Sequence, residues 1–247
     1  MGELIAVLSG KGGTGKTSVC AAIATAMARM GLKILCIDCD VGLRNLDIAL
    51  GISEIGSISF MDIINKDYEF RSATVHPEYP TLRFLTAPMN CPANAVDPVA
   101  FSHMLDEARS QFQYVFLDAP AGIDAGFTLA ARSADRILLV TGSDPAAIRD
   151  ASQAGDRLEE MGKGNVRLII NRVDADMLNI MRLTMDDVMD RAGLPLLGLV
   201  PEDANVTLAA AFERPLLKQT KKGAAAACVR IAKRIRGVHV PIRLQRL

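Results

Sequence analysis

The run Gly10-Lys11-Gly12-Gly13-Thr14-Gly15-Lys16-Thr17 decides how the rest of the chain is read. An apolar stretch, Leu4-Ile5-Ala6-Val7-Leu8, leads into it, and a small-residue stretch of helical character, Ser18 to Met30, leads out. Between a strand and a helix, G-x-x-x-x-G-K-[ST] is the pattern of a nucleotide phosphate loop. Its glycines let the backbone wrap closely around an anion and turn successive N–H groups inward. The start of the following helix adds its partial positive charge. In such a loop Lys16 reaches the β- and γ-phosphates, and the Thr17 hydroxyl takes a position on Mg²⁺.

The bulk properties narrow the class. The chain has 247 residues, half of them hydrophobic, which is ample for a substantial core. Its formal net charge of zero argues against a globally basic nucleic-acid binder, and the absence of Trp argues against a base-stacking platform. No apolar run is long enough to span a bilayer, and the N-terminus enters a strand without a signal peptide. The expectation is a soluble, cytoplasmic protein. Five cysteines at irregular spacings do not suggest a disulfide framework. Cys36-Ile37-Asp38-Cys39 has redox-motif spacing but lies at a strand end, where an odd separation sends the two thiols to opposite faces.

Further along, Gly31 ends the first helix, and Lys33–Ile37 reads as a parallel strand covered on both faces. That strand runs into Asp38-Cys39-Asp40, placing two carboxylates at its carboxyl end, the edge where ligands bind in open parallel sheets. Val41 to Gly51 reads as a connector, Ile58–Ile64 as a short helix, Leu82–Leu85 as a strand, and Pro88 to Pro98 as an irregular loop. A helix over Pro98–Gln111 precedes Tyr114-Val115-Phe116-Leu117-Asp118, the arrangement in which a strand-tip carboxylate holds a Mg²⁺ water opposite Thr17. Strands are expected at Arg136–Thr141, Val166–Asn171 and Leu196–Val200. Helices are expected near Gly126–Ser133, Pro145–Met161, Thr184–Arg191, Ala204–Phe212 and Lys222–Arg236. This alternation predicts a single α/β domain, residues 1–237, built as a doubly wound, mostly parallel sheet flanked by helices, with a short tail, 238–247.

The phosphate loop alone does not separate kinases, GTPases, motors and switches. Lys11 does more, because a second lysine just after the first loop glycine cannot easily serve its own γ-phosphate beside Lys16. On position alone it fits equally a solvated loop lysine or one placed to reach a phosphate held by a facing subunit. Lys11–Thr17 resembles the deviant Walker A motif of the ParA/MinD family of dimerising ATPases. Asp38-Cys39-Asp40-Val41-Gly42-Leu43-Arg44-Asn45-Leu46-Asp47 resembles the switch I segment of its MinD branch, and Asp118-Ala119-Pro120-Ala121-Gly122 its switch II. Val200-Pro201-Glu202-Asp203 resembles its adenine-side loop, and Asn171-Arg172 its strand-end base reader. The resemblance runs from Met1 to about Gly237.

It implies ATP/ADP and Mg²⁺ as ligands and a nucleotide-sandwich homodimer. Lys11 would act across the dimer, Lys16 on the phosphates, and Asp40 on the attacking water. Gly12, Gly13, Thr14, Gly15, Lys16, Thr17 and Ser18 would cradle the nucleotide, with Asn171, Arg172, Pro201, Glu202 and Asp203 around adenine. Thr17, Asp38 and Asp118 would support the metal. Arg149-Asp150 opens a helix resembling the face offered to a regulatory partner, a MinC-like protein or an activator; the two residues equally fit an ordinary exposed helix surface. The role implied is a spatial switch in division-site placement. A ParA-like DNA- or cargo-partitioning ATPase, or a flagellar-number regulator, is the alternative, supported mainly by the basic stretch Lys218–Arg236.

The C-terminus departs from the MinD pattern of a spacer and an amphipathic membrane helix. Val238, Val240, Ile242 and Leu244 alternate with strand-like period, and Pro241 interrupts any helix. Arg214 onward carries no Asp or Glu, which favours anionic lipid, but two or three exposed apolar side chains would contribute only about a few kcal/mol. The expectation is a tail packed along the domain or frayed, so peripheral membrane association is doubtful and DNA binding is not expected.

Overall fold

The computed structural model describes residues 1–41, 43–89, 96–182 and 184–242. Gly42, within the predicted switch I, and residues 90–95, within the predicted irregular loop, lie outside them, as do residues 243–247 of the tail.

The apolar runs form the expected strands: β1 (Glu3–Leu8), β2 (Ile34–Asp38), β4 (Leu82–Leu85), β5 (Tyr114–Asp118), β6 (Arg136–Thr141), β7 (Val166–Val173) and β8 (Leu196–Pro201), joined by a two-residue β3 (Thr74–Val75). They make one eight-stranded sheet in the order β3-β4-β2-β5-β1-β6-β7-β8. All pairs are parallel except β3 with β4. Strand β1 alternates its side chains between two cores, as a strand buried on both faces must. Ile5 and Val7 join the cluster beneath α1 (Lys16–Arg29) and α11 (Gly223–Ile235). Leu4, Ala6 and Leu8 join the cluster beneath α4 (Pro98–Gln111), α5 (Ala125–Ser133) and α6 (Pro145–Glu160).

The chain leaves β1 for β2 on one side, and later builds β6, β7 and β8 on the other. This reversal opens a crevice above the carboxyl end of β1. Strand β2 is not the neighbour of β1: β5 is inserted between them, with Val7 opposite Asp118 and Asp38 also opposite Asp118. The two strand-end carboxylates therefore stand side by side.

Several short elements escape the sequence pattern. Leu46–Leu50 (α2) is a helix within the presumed connector, and Ala175–Met181 (α7) and Leu216–Gln219 (α10) are also helical. The remaining helices are α3 (Phe60–Ile64), α8 (Met185–Ala192) and α9 (Ala204–Ala211). Thr184 caps α8 as expected, through a reciprocal capping box with Asp187. Cys36 and Cys39 are buried in opposite cores.

The tail is tied down as far as it is described. The Arg234 guanidinium donates to Val240 O and Pro241 O, both at 2.8 Å, and to Leu197 O on β8 at 3.0 Å. Lys218 pairs with Glu78 at 2.9 Å. Part of the basic stretch is thus engaged within the fold. No helix among the described residues is long and apolar enough to cross a membrane.

Candidate nucleotide site

The phosphate loop closes the gap between β1 and α1. Gly15 is the N-cap of α1 with φ 79°, and no side chain caps the helix, so its first N–H groups remain for an anion. At Gly12 and Gly13 an added Cβ would meet nothing within 4 Å, leaving the loop surface bare. At Gly10 an added Cβ would lie 2.3 Å from Asp150 O, so the loop rests directly on the backbone of α6.

Gly15 is the tightest point. A Cβ there would stand 2.3 Å from Asn171 Nδ2, which donates to Thr14 O at 2.8 Å. Gly15→Ala should combine a left-handed backbone penalty with loss of that buried bond, roughly 2–5 kcal/mol together. Chemical denaturation should show the loss, and nucleotide-induced stabilisation should disappear with it.

Inside the loop, the Lys16 ammonium lies 2.7 Å from Asp118 Oδ1 and 3.3 Å from Thr17 Oγ1. Both ion-pair members are almost completely buried. Burial pulls the Lys16 pKa down, but the Asp118 carboxylate outweighs it and holds the amine above its ordinary value. Asp38 accepts the Asp40 N–H at 2.9 Å and the Leu46 N–H at 3.2 Å, so one carboxylate pins both ends of the intervening turn. Burial, and then repulsion from Asp118, push Asp38 up to about 7. Burial also raises the half-exposed Asp40, with Lys16 opposing it. Two buried carboxylates, one shared lysine and a threonine hydroxyl form a set that a divalent cation would complete.

Lys16 and Thr17 open onto a cleft of about 340 Å³ lined by Ser9, Lys11 to Ser18, Asp40, Leu43, Asn45, Ile48, Ala49, Ala121 and Ala210. Two buried hydroxyls at the loop, Ser9 Oγ and Thr14 Oγ1, have no hydrogen-bond partner among the described residues. Bare glycines, an uncapped helix start, a buried lysine and orphan hydroxyls together fit a Mg²⁺-bound polyphosphate.

Lys11 stands apart from Lys16. Its ammonium is 3.2 Å from Asp144 Oδ1, on the far rim of the loop. Asp144 is also the N-cap of α6, accepting the Ala147 N–H at 2.9 Å. Nothing in the sequence links this N-cap to a lysine 133 positions earlier.

The residues assigned to adenine divide into different places. Asn171 braces the loop through Thr14 O. Arg172, at φ 56° beside a register shift in β7, pairs with Glu202 at 2.7 Å and reaches Gly13 O at 3.4 Å. Arg172 and Glu202 line a second cleft of about 450 Å³, with Lys11 to Thr14, Asp144 and Met177 among its walls. Pro201 is buried at the end of β8. Asp203 turns inward: it accepts from Asn205 N at 2.9 Å and from Ala224 N at 3.0 Å, capping α9 and bridging to α11. Leu43, Asn45, Ile48, Ala121 and Ala210 line the first cleft without having been singled out individually as site residues, because their side chains carry no phosphate chemistry.

A family model for the CobQ/CobB/MinD/ParA nucleotide binding domain matches residues 5–216. The chain belongs to this family. Within it, the chain is 32% identical over 244 residues to the septum site-determining protein MinD of Synechocystis sp., covering 98% of this chain and 92% of that relative. Among solved structures it resembles the MinC:MinD cell division protein complex of Aquifex aeolicus, with TM-score 0.90 and 30% identity over 98% of both chains. It also resembles the septum site-determining protein MinD of Pyrococcus horikoshii complexed with Mg-ADP, at TM-score 0.82 and 25% identity over 95% of this chain and 96% of that one.

Proposed function

We propose that the protein is a MinD-like ATPase that binds ATP with Mg²⁺, closes as a face-to-face homodimer, and hydrolyses the nucleotide as a spatial switch in division-site placement. The observation that carries this reading is the division of labour between two lysines on one loop. Lys16 is buried on Asp118, whereas Lys11 sits at the rim, one third exposed and held by an exposed carboxylate. A lysine so placed is free to act on a phosphate outside its own subunit.

Within one subunit, Lys16 and the uncapped start of α1 would hold the phosphates, while Thr17, Asp38 and Asp118 would support Mg²⁺. Bound Mg²⁺ would neutralise charge on the transferring phosphoryl group. Asp40, at the mouth of the cleft with its pKa raised, would orient the attacking water. Relatives named as septum site-determining proteins, and the Aquifex complex with MinC, support the biological role and a MinC-like partner. The contact between Gly10 and the Asp150 carbonyl supports α6 as the element through which a docked partner would reach the loop. The pairing of Lys218 with Glu78 and the engagement of Arg234 by the tail weigh against a DNA-binding face on the basic stretch.

The test is light scattering with Mg²⁺ and ATP or ADP, alongside phosphate release. A dimer in ATP, a monomer in ADP, and turnover that rises with protein concentration are expected. A monomer in ATP that still hydrolyses it would overturn the sandwich mechanism.

A further inference from the structure

Ser9 stands between β1 and the phosphate loop, and its orphan hydroxyl has so far been given no specific ligand atom. It is 1% exposed, and its hydroxyl has no partner among the described residues. Buried polar groups are nearly always hydrogen-bonded, so an orphan hydroxyl beside a ligand cleft points to a ligand atom. The Ser9 backbone, by contrast, is engaged: its carbonyl accepts the Gly122 N–H at 3.1 Å, joining the entry to the loop with the segment that follows Asp118.

Ser9 follows β1 directly, where Ile5 and Val7 face the core beneath α1. Val7 lies opposite Asp118, and Phe116, two residues earlier on β5, packs in the same core. Ser9, just past the end of β1, lies in the wall of the cleft shared by Lys11, Lys16, Thr17 and Asp40.

Resting on the nucleotide-switch reading, we propose that Ser9 is a positioning residue for the terminal phosphoryl group of ATP. Its hydroxyl donates to an oxygen of that group, and its carbonyl, through Gly122, ties the segment after Asp118 to the presence of that oxygen. ADP lacks the group and leaves the hydroxyl idle. The same residue thus helps distinguish the two nucleotides and steadies the segment that borders the reaction.

The experiment compares wild type, Ser9→Ala and Ser9→Thr by thermal unfolding, each empty, with Mg²⁺ and ADP, and with Mg²⁺ and ATPγS; steady-state ATP hydrolysis is measured beside it. Empty Ser9→Ala should melt no lower than wild type, because the hydroxyl has no protein partner to lose. Its ADP-induced shift should match wild type, while the additional shift given by ATPγS over ADP shrinks. Turnover should fall about a hundredfold or more, in the range seen when a single donor to developing charge is removed. Ser9→Thr, which keeps the hydroxyl, should recover the ATPγS increment. An unchanged increment in Ser9→Ala, or a markedly less stable empty variant, would overturn the proposal. A wild type that responds to neither nucleotide would overturn both this inference and the switch reading; a normal wild-type response with an unaltered Ser9→Ala overturns this one alone.

Discussion

Lys11→Ala should bind Mg²⁺ and ATP nearly as well as wild type yet lose dimerisation and hydrolysis, with kcat falling about 10³-fold or more, as when a charge supplied in trans is removed. The expectation comes from where the two lysines lie. On the proposed reading, phosphate affinity within a subunit rests on Lys16, the loop N–H groups and Thr17, while the Lys11 ammonium is engaged by Asp144. The contact Lys11 does make, 3.2 Å to Asp144, is between exposed groups and is worth about 0–1 kcal/mol, so little holds it at home. Partial burial pushes the Asp144 carboxyl up, but the Ala147 N–H and Lys11 outweigh it and keep the pKa low, so Asp144 is ionised at neutral pH. Asp144→Asn offers a companion test. It keeps an oxygen for the Ala147 N–H but removes the negative charge that faces Lys11, and should raise the ATP-dependent dimer fraction by no more than about fivefold. Nucleotide titration, light scattering and phosphate release on the same samples decide the matter. Wild-type turnover in Lys11→Ala would leave the lysine a solvated rim residue and remove the cross-subunit mechanism.

What the sequence discloses here is whatever depends on neighbours along the chain. The phosphate loop, its flanking strand and helix, and the two Asp-terminated apolar strands are local patterns, and parallel strands covered on both faces announce themselves as unbroken apolar runs. What depends on strand order is hidden. Nothing in Lys33–Asp40 indicates that β5, some 75 residues later, slips between β2 and β1 and sets Asp38 against Asp118. Helix α2, with five residues and no side-chain cap, is held by burying Leu46 and Leu50 and by the Asp38 carboxylate on the Leu46 N–H, so its local sequence signal is weak. At Asn171–Arg172 the register shift in β7 sends one side chain inward to Thr14 O and the other outward to Glu202, which a regular strand pattern cannot anticipate. Asp203, which the resemblance assigns to the adenine side, also gives its two oxygens to α9 and α11, a bridge between helices that local sequence does not announce.

The second large effect is expected at Lys16. Lys16→Met keeps the length and apolar stem of the side chain but leaves Asp118 buried without its cation and with Asp38 directly opposite. Breaking a buried pair from one side costs about 3–5 kcal/mol, or roughly 6–20 °C in Tm for a domain of this size. The cost should depend on pH in a definite direction. Asp38 has a folded pKa raised to about 7, well above its unfolded value, so the folded state holds the extra proton and wild-type stability from this group falls as pH rises through that window. Without the Lys16 charge Asp38 is harder still to ionise, and the variant must either keep it protonated or bear its repulsion from Asp118. Protonation is easy at about pH 5 and difficult at about pH 8, so the stability gap between wild type and Lys16→Met should widen with rising pH. Adding Asp118→Leu to Lys16→Met removes the stranded charge together with its partner. The double variant should recover much of the stability and none of the nucleotide-induced shift, since it lacks both the phosphate ligand and the metal support. Unfolding curves at the two pH values, with and without Mg²⁺ and ATP, separate the contributions. A Lys16→Met variant as stable as wild type at about pH 8 would mean that Asp118 and Asp38 are screened by water rather than dependent on this lysine, and that the buried ion pair does not hold the empty site together.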